Sequence, residues 1–363
     1  MAQLLLAEDE VDLKSRICFK QDAKEDARMA RKYEHFIKHL GAEVLSREKK
    51  RGGQTQPGTP AAGPGGAQKE IVLRGRDQME GLDLNISWGI HNGLGDWHMD
   101  GQAYSHSFPE WLFFVGLDTA NVNYLGAEIE CCLGSEKETY TFNEPTVVIA
   151  PAGLCHAPIA TKKLFSPKGF GFISVGLNGI SGDGGAGEKR PSHAPVPATG
   201  KYSHLVKSMK PSLIIERGKL RTAGSTPEQL AKHEEMQRSG FKPGPGNPDH
   251  LTWMSGEDLG GAKLNVAWGF CSQPGIWQRG VDAHVHPADQ VLMFLGTDPN
   301  SDNLGAEIEI DLGTEHERYL VNKSSALICP AGLPHAPIVT RWVDKPFAFL
   351  LFNLAADMTM TFA

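Results

Sequence analysis

The sequence has 363 residues, of which 40% are hydrophobic and 22% are charged, the composition of a globular protein with more than one core. The formal net charge of −7 is spread along the chain, so no basic face is available to hold a phosphate backbone. The composition therefore argues against nucleic acid as a partner and favours a small molecule.

The N-terminus does not have the pattern of a targeting or membrane segment. It turns acidic after Leu4, Leu5 and Leu6, without the basic and apolar regions of a signal peptide, and no stretch of the chain reaches membrane-spanning length. The six cysteines show neither CxxC spacing nor a regular framework, which is typical of reduced thiols. We therefore expect a cytoplasmic protein with no membrane partner.

Two helices and two flexible stretches are predicted between the β-rich parts of the chain. Asp22–Leu40 carries apolar residues along one face, and Thr226–Gly240 begins with a Thr-Pro start signal. Gly52–Gln68 and Ser181–Gly200 contain few large apolar residues, so burial cannot offset the entropy of ordering them. Both read as linkers or mobile loops, and the first could alternatively be a lid.

An internal repeat is the most informative feature of the sequence. Three blocks occur twice: Leu84–Gly89 with Leu264–Gly269, Leu125–Glu130 with Leu304–Glu309, and Pro151–Pro158 with Pro330–Pro337. The offset is 180 residues through His106 and 179 from Gly126 onward, so the copies stay in register apart from one deletion. We therefore expect two structurally equivalent domains.

Each copy contains short segments rich in Val, Ile, Leu and Phe, separated by Gly, Pro and Asn. This pattern is typical of antiparallel sandwiches and barrels, so we predict an all-β protein with peripheral helices. The predicted domains are an N-terminal helical segment (1–47), a flexible linker (48–70), a first barrel (71–180), a linker and helical connector (181–247) and a second barrel (248–363).

The second copy carries histidines in an arrangement suited to a metal ion. His284, His286 and Gln290 lie on one face of a predicted strand, because side chains alternate along a strand. His335 follows 49 residues after His286, in a PAGxxH turn that would begin a neighbouring strand. Neutral imidazoles in this spacing suit a transition metal.

The first copy departs from this pattern. Tyr104 stands where the second copy has His284, and the remaining places hold His106, Glu110 and His156. Two histidines and one carboxylate are the facial triad of non-haem iron, which leaves positions open for substrate and dioxygen. Alternatively, the first barrel lost its metal after duplication, and His106 and Glu110 form a buried hydrogen-bonded pair.

The spacing HxHxxxQ, or YxHxxxE in the first copy, followed by a glycine six residues on and later by PxGxxH, resembles the two motifs of the cupin superfamily. The resemblance covers residues 82–178 and 262–354. It implies two cupin-type double-stranded β-helix barrels from an internal duplication, and a homo-oligomer, since cupins often pair. The metal ligands that it implies are His284, His286, Gln290 and His335 in one barrel and His106, Glu110 and His156 in the other.

Three further residues are candidates for catalysis. Glu128 and Glu307 begin the repeated GAEIE strand, and each could act as a general base or supply a carboxylate ligand if that strand lines the barrel. If the strand lies at the surface, both instead face water. Tyr104 is a candidate because it replaces a histidine.

Fold alone does not select a reaction, because cupins include dioxygenases, decarboxylases, isomerases, lyases, sugar-binding regulators and storage proteins. We expect an iron-dependent dioxygenase acting on a small organic substrate, with a divalent transition metal as cofactor. Iron is favoured, and manganese, zinc, nickel and copper stay open. One alternative is a redox-neutral metal cupin, such as an isomerase, decarboxylase or lyase; the other is a cupin that binds a small molecule without catalysis.

Overall fold

The computed structural model describes most of the chain. The described residues are 31–40, 63–98, 104–177, 200–209, 213–216, 219–220, 242–279, 283–298, 300–356 and 361–362, with the single positions 227, 230, 231 and 234. The chain divides into one compact unit that ends at His35 and another that begins at Phe36. The second unit contains all the strands named below.

Strands make up nearly all of the regular structure. Before and within the first copy they are β1 (Ile37–His39), β2 (Lys69–Arg74), β3 (Asn85–His91), β4 (Gly95–Asp96), β5 (Glu110–Gly116), β6 (Ala127–Leu133), β7 (Glu138–Phe142), β8 (Thr146–Ala150), β9 (Ile159–Leu164) and β10 (Phe170–Gly176). The connector contains β11 (Val206–Ser208), β12 (Leu213–Glu216) and β13 (Lys219–Leu220).

The second copy repeats this order with two additional two-residue strands. Its strands are β14 (His250–Met254), β15 (Asn265–Cys271), β16 (Gly275–Ile276), β17 (His284–Val285), β18 (Gln290–Leu295), β19 (Asn303–Leu312), β20 (Glu317–Lys323), β21 (Ser325–Cys329), β22 (His335–Val343), β23 (Phe347–Asn353) and β24 (Thr361–Phe362). Apart from the helical positions 227, 230, 231 and 234, the helices of the described residues are short: the 3-10 helices Glu34–Phe36 and Ser203–Leu205, and α1 (Gly75–Gln78).

Each copy folds into two facing antiparallel sheets. In the first copy the strand orders are β11-β8-β5-β10-β3-β2 and β4-β9-β6-β7. In the second they are β1-β21-β18-β23-β15-β14-β12-β13 and β20-β19-β22-β17-β24, with β16 paired to β22. The predicted all-β class and the pair of cupin-type barrels are confirmed. Within the described residues, no helix is long and apolar enough to cross a membrane.

The large sheet of each barrel is buried on both faces. In β5, Leu112 and Phe114 belong to the core inside the first barrel, whereas Trp111 and Phe113 belong to a core shared with the second barrel. Alternation along the strand sends successive side chains to these two cores. All seven residues of β5 are therefore buried, so its sequence is continuously apolar after Glu110.

The barrels exchange edge strands. β1 precedes the first barrel but pairs with β21 of the second, while β11 precedes the second barrel but pairs with β8 of the first. The surrounding sequences, Lys32–Leu40 and Lys201–Met209, are a fourth repeated block beyond the three described above. Each barrel is thus completed at one edge by the segment that leads into the other.

This exchange contradicts part of the predicted N-terminal helix. Within Asp22–Leu40, one 3-10 turn ends at Phe36, Ile37–His39 forms β1, and the Leu40 amide donates a hydrogen bond to the Ser324 carbonyl at 2.7 Å. The free edge of β21 supplies backbone partners that override the helical spacing of the apolar residues. Residues 22–30 lie outside the described residues. Positions 227, 230, 231 and 234, inside the second predicted helix, are helical.

The C-terminal end of the predicted linker 48–70 is part of the first barrel. Lys69 and Glu70 lie in β2, and the amides of Gly63 and Gly65 donate to the carbonyls of Trp97 and Asp96 at 2.8 and 3.0 Å. A Cβ on Gly63 would stand 2.2 Å from the Asp96 carbonyl oxygen, and one on Gly65 2.1 Å from that of Gly95. The glycines permit close backbone contact, so the flexible-linker prediction is wrong for residues 63–70.

Candidate metal centres

The second barrel brings three histidines together. His284 on β17 pairs with His335 at the start of β22, and His286 follows two residues later in the chain. One ring nitrogen from each lies within 4.8 Å of the other two, and the three residues are only 3–6% exposed. The sequence spacing predicts that the three histidines converge, but the predicted continuous strand is wrong, because β17 ends at Val285 and β18 begins at Gln290 in the other sheet.

The histidine of each PAGxxH turn is oriented by its own backbone. His335 Nδ1 lies 3.0 Å from the Leu333 carbonyl oxygen, and His156 Nδ1 lies 2.9 Å from that of Leu154. Because a carbonyl oxygen only accepts hydrogen bonds, Nδ1 carries the proton, and the lone pair of Nε2 is available to bind a metal ion. Burial lowers the pKa of His335 to about 3, with a smaller electrostatic contribution from His284, so this ring is neutral.

Gln290 lies on the same strand face as Leu292 and Phe294, as predicted, and is 1% exposed. Its Nε2 donates a hydrogen bond to Asn353 Oδ1 at 3.2 Å. The amide nitrogen is therefore occupied, and the carbonyl oxygen, the atom able to bind a metal, takes no part in that bond.

The first barrel brings together His106, Glu110 and His156. Glu110 Oε2 lies 3.0 Å from His156 Nε2 and 3.4 Å from His106 Nε2, and the Ser174 hydroxyl donates to Glu110 Oε1. Burial acts to raise the pKa of Glu110, but His156, Ser174 and His106 together lower it below its ordinary value. Glu110 is thus a carboxylate at neutral pH.

Both clusters fit a transition metal. His156 is 1% exposed, and its buried Nε2 has no hydrogen-bond partner, although Glu110 Oε2 lies 3.0 Å away. A metal ion would give this nitrogen the partner that a buried polar atom needs. Three imidazoles, or two imidazoles and a carboxylate, are also donor sets that such metals accept.

Tyr104 lies at the first cluster. Its ring centroid is 4.9 Å from that of His156, at nearly right angles, and 5.8 Å from that of His106.

Two residues that hydrogen-bond to Glu110 and Gln290 were not predicted from the sequence: Ser174 on β10 and Asn353 on β23. No motif marks them, and only the strand register could have identified them, since Asn353 lies opposite Gln290 and Ser174 lies two residues from the position opposite Glu110.

Glu128 and Glu307 point away from both clusters. On β6 and β19 they alternate with buried apolar residues and take the outer face of the strand. Lys163 Nζ lies 3.0 Å from Glu128, and Arg341 Nε lies 3.5 Å from Glu307. Their predicted catalytic role is therefore not supported, because the repeated acidic residues mark the solvent side of the strand.

No protein-family model and no curated protein matches the chain. Similar solved structures include an oxalate decarboxylase from Bacillus subtilis, from a study of its Mn(II) centres, and an oxalate decarboxylase from a study of its substrate binding mode. In both, identity is 10%, the alignment covers 84% of this chain and 77% of that chain, and the TM-score is 0.45. A tryptophan-to-tyrosine variant of the same enzyme is 11% identical over the same coverage. This likeness is too distant to assign an activity.

Proposed function

We propose that this chain, with its bicupin fold, is a metal-dependent enzyme that acts on a small organic substrate by redox-neutral chemistry in the second barrel. The observation that carries the proposal is the convergence of His284, His286 and His335, three buried imidazoles with one nitrogen each within 4.8 Å of the others. A protein that only stores a ligand has little reason to keep three buried histidines at one point.

The residues of the second barrel would hold a divalent transition metal and shape the space around it. Bound there, the metal would supply Lewis-acid chemistry, polarising a substrate oxygen. Three neutral imidazoles do not compensate the double charge of such an ion, which favours this polarising role. Leu292 and Phe294, on the interior face of β18, would exclude water from the substrate.

A second candidate is the iron-dependent oxygenase, and the first barrel favours it. His106, His156 and the Glu110 carboxylate are the two-histidine, one-carboxylate set of non-haem iron oxygenases. His106, with a side chain 36% exposed, is the most open of the three ligands and leaves room for a substrate to enter. In this case the first barrel would be the reaction site and oxygen would be consumed.

Metal analysis and oxygen uptake separate these candidates. The full chain is purified without added metal, its metals are quantified, and turnover of a panel of small organic acids and sugars is followed with an oxygen electrode. We expect a bound divalent metal and turnover without oxygen uptake. Turnover that consumes oxygen would instead support the oxygenase, and substrate binding that survives chelation without any turnover would support a non-catalytic binding protein. A chain without metal would refute both metal-dependent candidates.

A further inference from the structure

Tyr104 occupies the place of a metal ligand in the first barrel. In the second barrel the ring centroids of His284, His286 and His335 form a triangle with sides of 5.0, 4.6 and 5.4 Å. The corresponding rings of the first barrel, with Tyr104 in place of His284, form a triangle with sides of 5.8, 4.9 and 5.3 Å. The phenol ring therefore stands where the third imidazole stands.

The backbone places Tyr104 in the same way. The His156 amide donates to the Tyr104 carbonyl at 3.1 Å, at the position where His284 and His335 pair in the second barrel. The next anchor is also shared, since the Gly153 amide donates to the His106 carbonyl at 2.7 Å and the Gly332 amide to the His286 carbonyl at 2.9 Å. Tyr104 and His284 are thus equivalent in chain position, backbone pairing and ring position.

The substitution changes the chemistry of the donor set. A phenol can offer a hard oxygen donor where imidazole offers a nitrogen, and Glu110 already adds a carboxylate. The first barrel would then present two nitrogens and two oxygens with negative charge, whereas the second presents three neutral nitrogens. Negatively charged oxygen donors favour a more highly charged ion.

We propose that Tyr104 is an oxygen ligand of the first-barrel metal, so that this barrel takes ferric iron and the second barrel takes a divalent ion. This inference rests on the metal-binding part of the proposed function. When the phenol oxygen binds, its proton leaves to solvent, and the iron keeps its oxidation state. The two barrels then hold different metals within one chain.

Phenolate bound to ferric iron absorbs visible light by charge transfer, which provides a direct test. The second barrel is disabled by His284→Ala with His335→Ala, and the metal-free protein is loaded with ferric citrate. We expect one iron per chain and a visible band that Tyr104→Phe abolishes. Tyr104→His, which copies the sequence of the second barrel, is expected to keep bound metal without the band. Tyr140→Phe is the matched control, because the Tyr140 hydroxyl bonds to Glu138 on β7.

A reciprocal exchange makes the test independent of how well one variant folds. With the first barrel disabled by His106→Ala and His156→Ala, His284→Tyr in the second barrel should create a visible band on ferric loading. One bound iron in the first barrel without a band would overturn the ligand role of Tyr104. Metal in the second barrel and none in the first would overturn it as well and leave the proposed function standing. Absence of metal from both barrels would overturn the two proposals together.

Discussion

Trp88 and Trp268 occupy the same position in the two copies and contact each other, with ring centroids 5.5 Å apart. Both lie in the core that the two large sheets share, and both are at most 2% exposed. Trp111 Nε1 also donates a hydrogen bond to the Leu259 carbonyl at 3.0 Å, and this bond links the first copy to the second. The duplicated tryptophans thus join the barrels to each other.

Replacing Trp268 by alanine should destabilise both barrels together. Removing a buried aromatic side chain costs about 3–5 kcal/mol in free energy of unfolding, and here the cavity opens in the shared core. Chemical denaturation followed by circular dichroism measures the loss. The control is Trp342→Ala, because the Trp342 side chain is 44% exposed. Equal losses in the two variants would contradict a shared core.

His335→Ala should remove the metal from the second barrel. The loss of affinity should exceed the about 10- to 100-fold that follows removal of a hydrogen-bond partner of a metal ligand, because His335 is itself a ligand in the proposal. Metal titration of protein with a disabled first barrel measures this affinity. His316→Ala is the control, since His316 is exposed in a turn. Unchanged affinity in His335→Ala would refute the second-barrel site.

Ser174→Ala should weaken metal binding in the first barrel by about 10- to 100-fold, because the Ser174 hydroxyl holds the Glu110 carboxylate in place. The affinity is measured by metal titration of protein with a disabled second barrel. Ser135→Ala, at an exposed turn position, should have no effect. A Ser174→Ala variant that binds metal as tightly as the parent would show that Glu110 needs no such support.

His91 should make the protein less stable in mild acid. Burial lowers the pKa of His91 from 6.5 to about 4, so the folded state takes up this proton less readily than the unfolded state. The contribution is present above pH 6.5 and is lost as the pH falls toward 4. Between pH 7.5 and 5 it amounts to about 2 kcal/mol of unfolding free energy.

Denaturation of the parent, His91→Gln and His316→Gln at both pH values measures this contribution. The parent and His316→Gln should lose the same stability on acidification, and His91→Gln should lose about 2 kcal/mol less. Equal losses in all three proteins would mean that His91 is protonated at pH 5 in the folded state.

The sequence by itself determined the duplication, the all-β class and the spacing of His284, His286 and Gln290, although it predicted one continuous strand where β17 ends at Val285 and β18 begins at Gln290. It also indicated that His335 joins them, because the repeated motifs keep their spacing in both copies. These features depend on local backbone geometry, since successive side chains of any strand point to opposite faces.

Only the tertiary structure decided which partner each segment meets. Ile37–His39 has helical apolar spacing but pairs with β21, Gly63 and Gly65 are ordered by close backbone contacts, and Glu128 takes the outer face of its strand. The physical reason is that pairing and burial depend on hydrogen bonds and apolar surfaces supplied by residues far away in the chain, which local spacing does not encode.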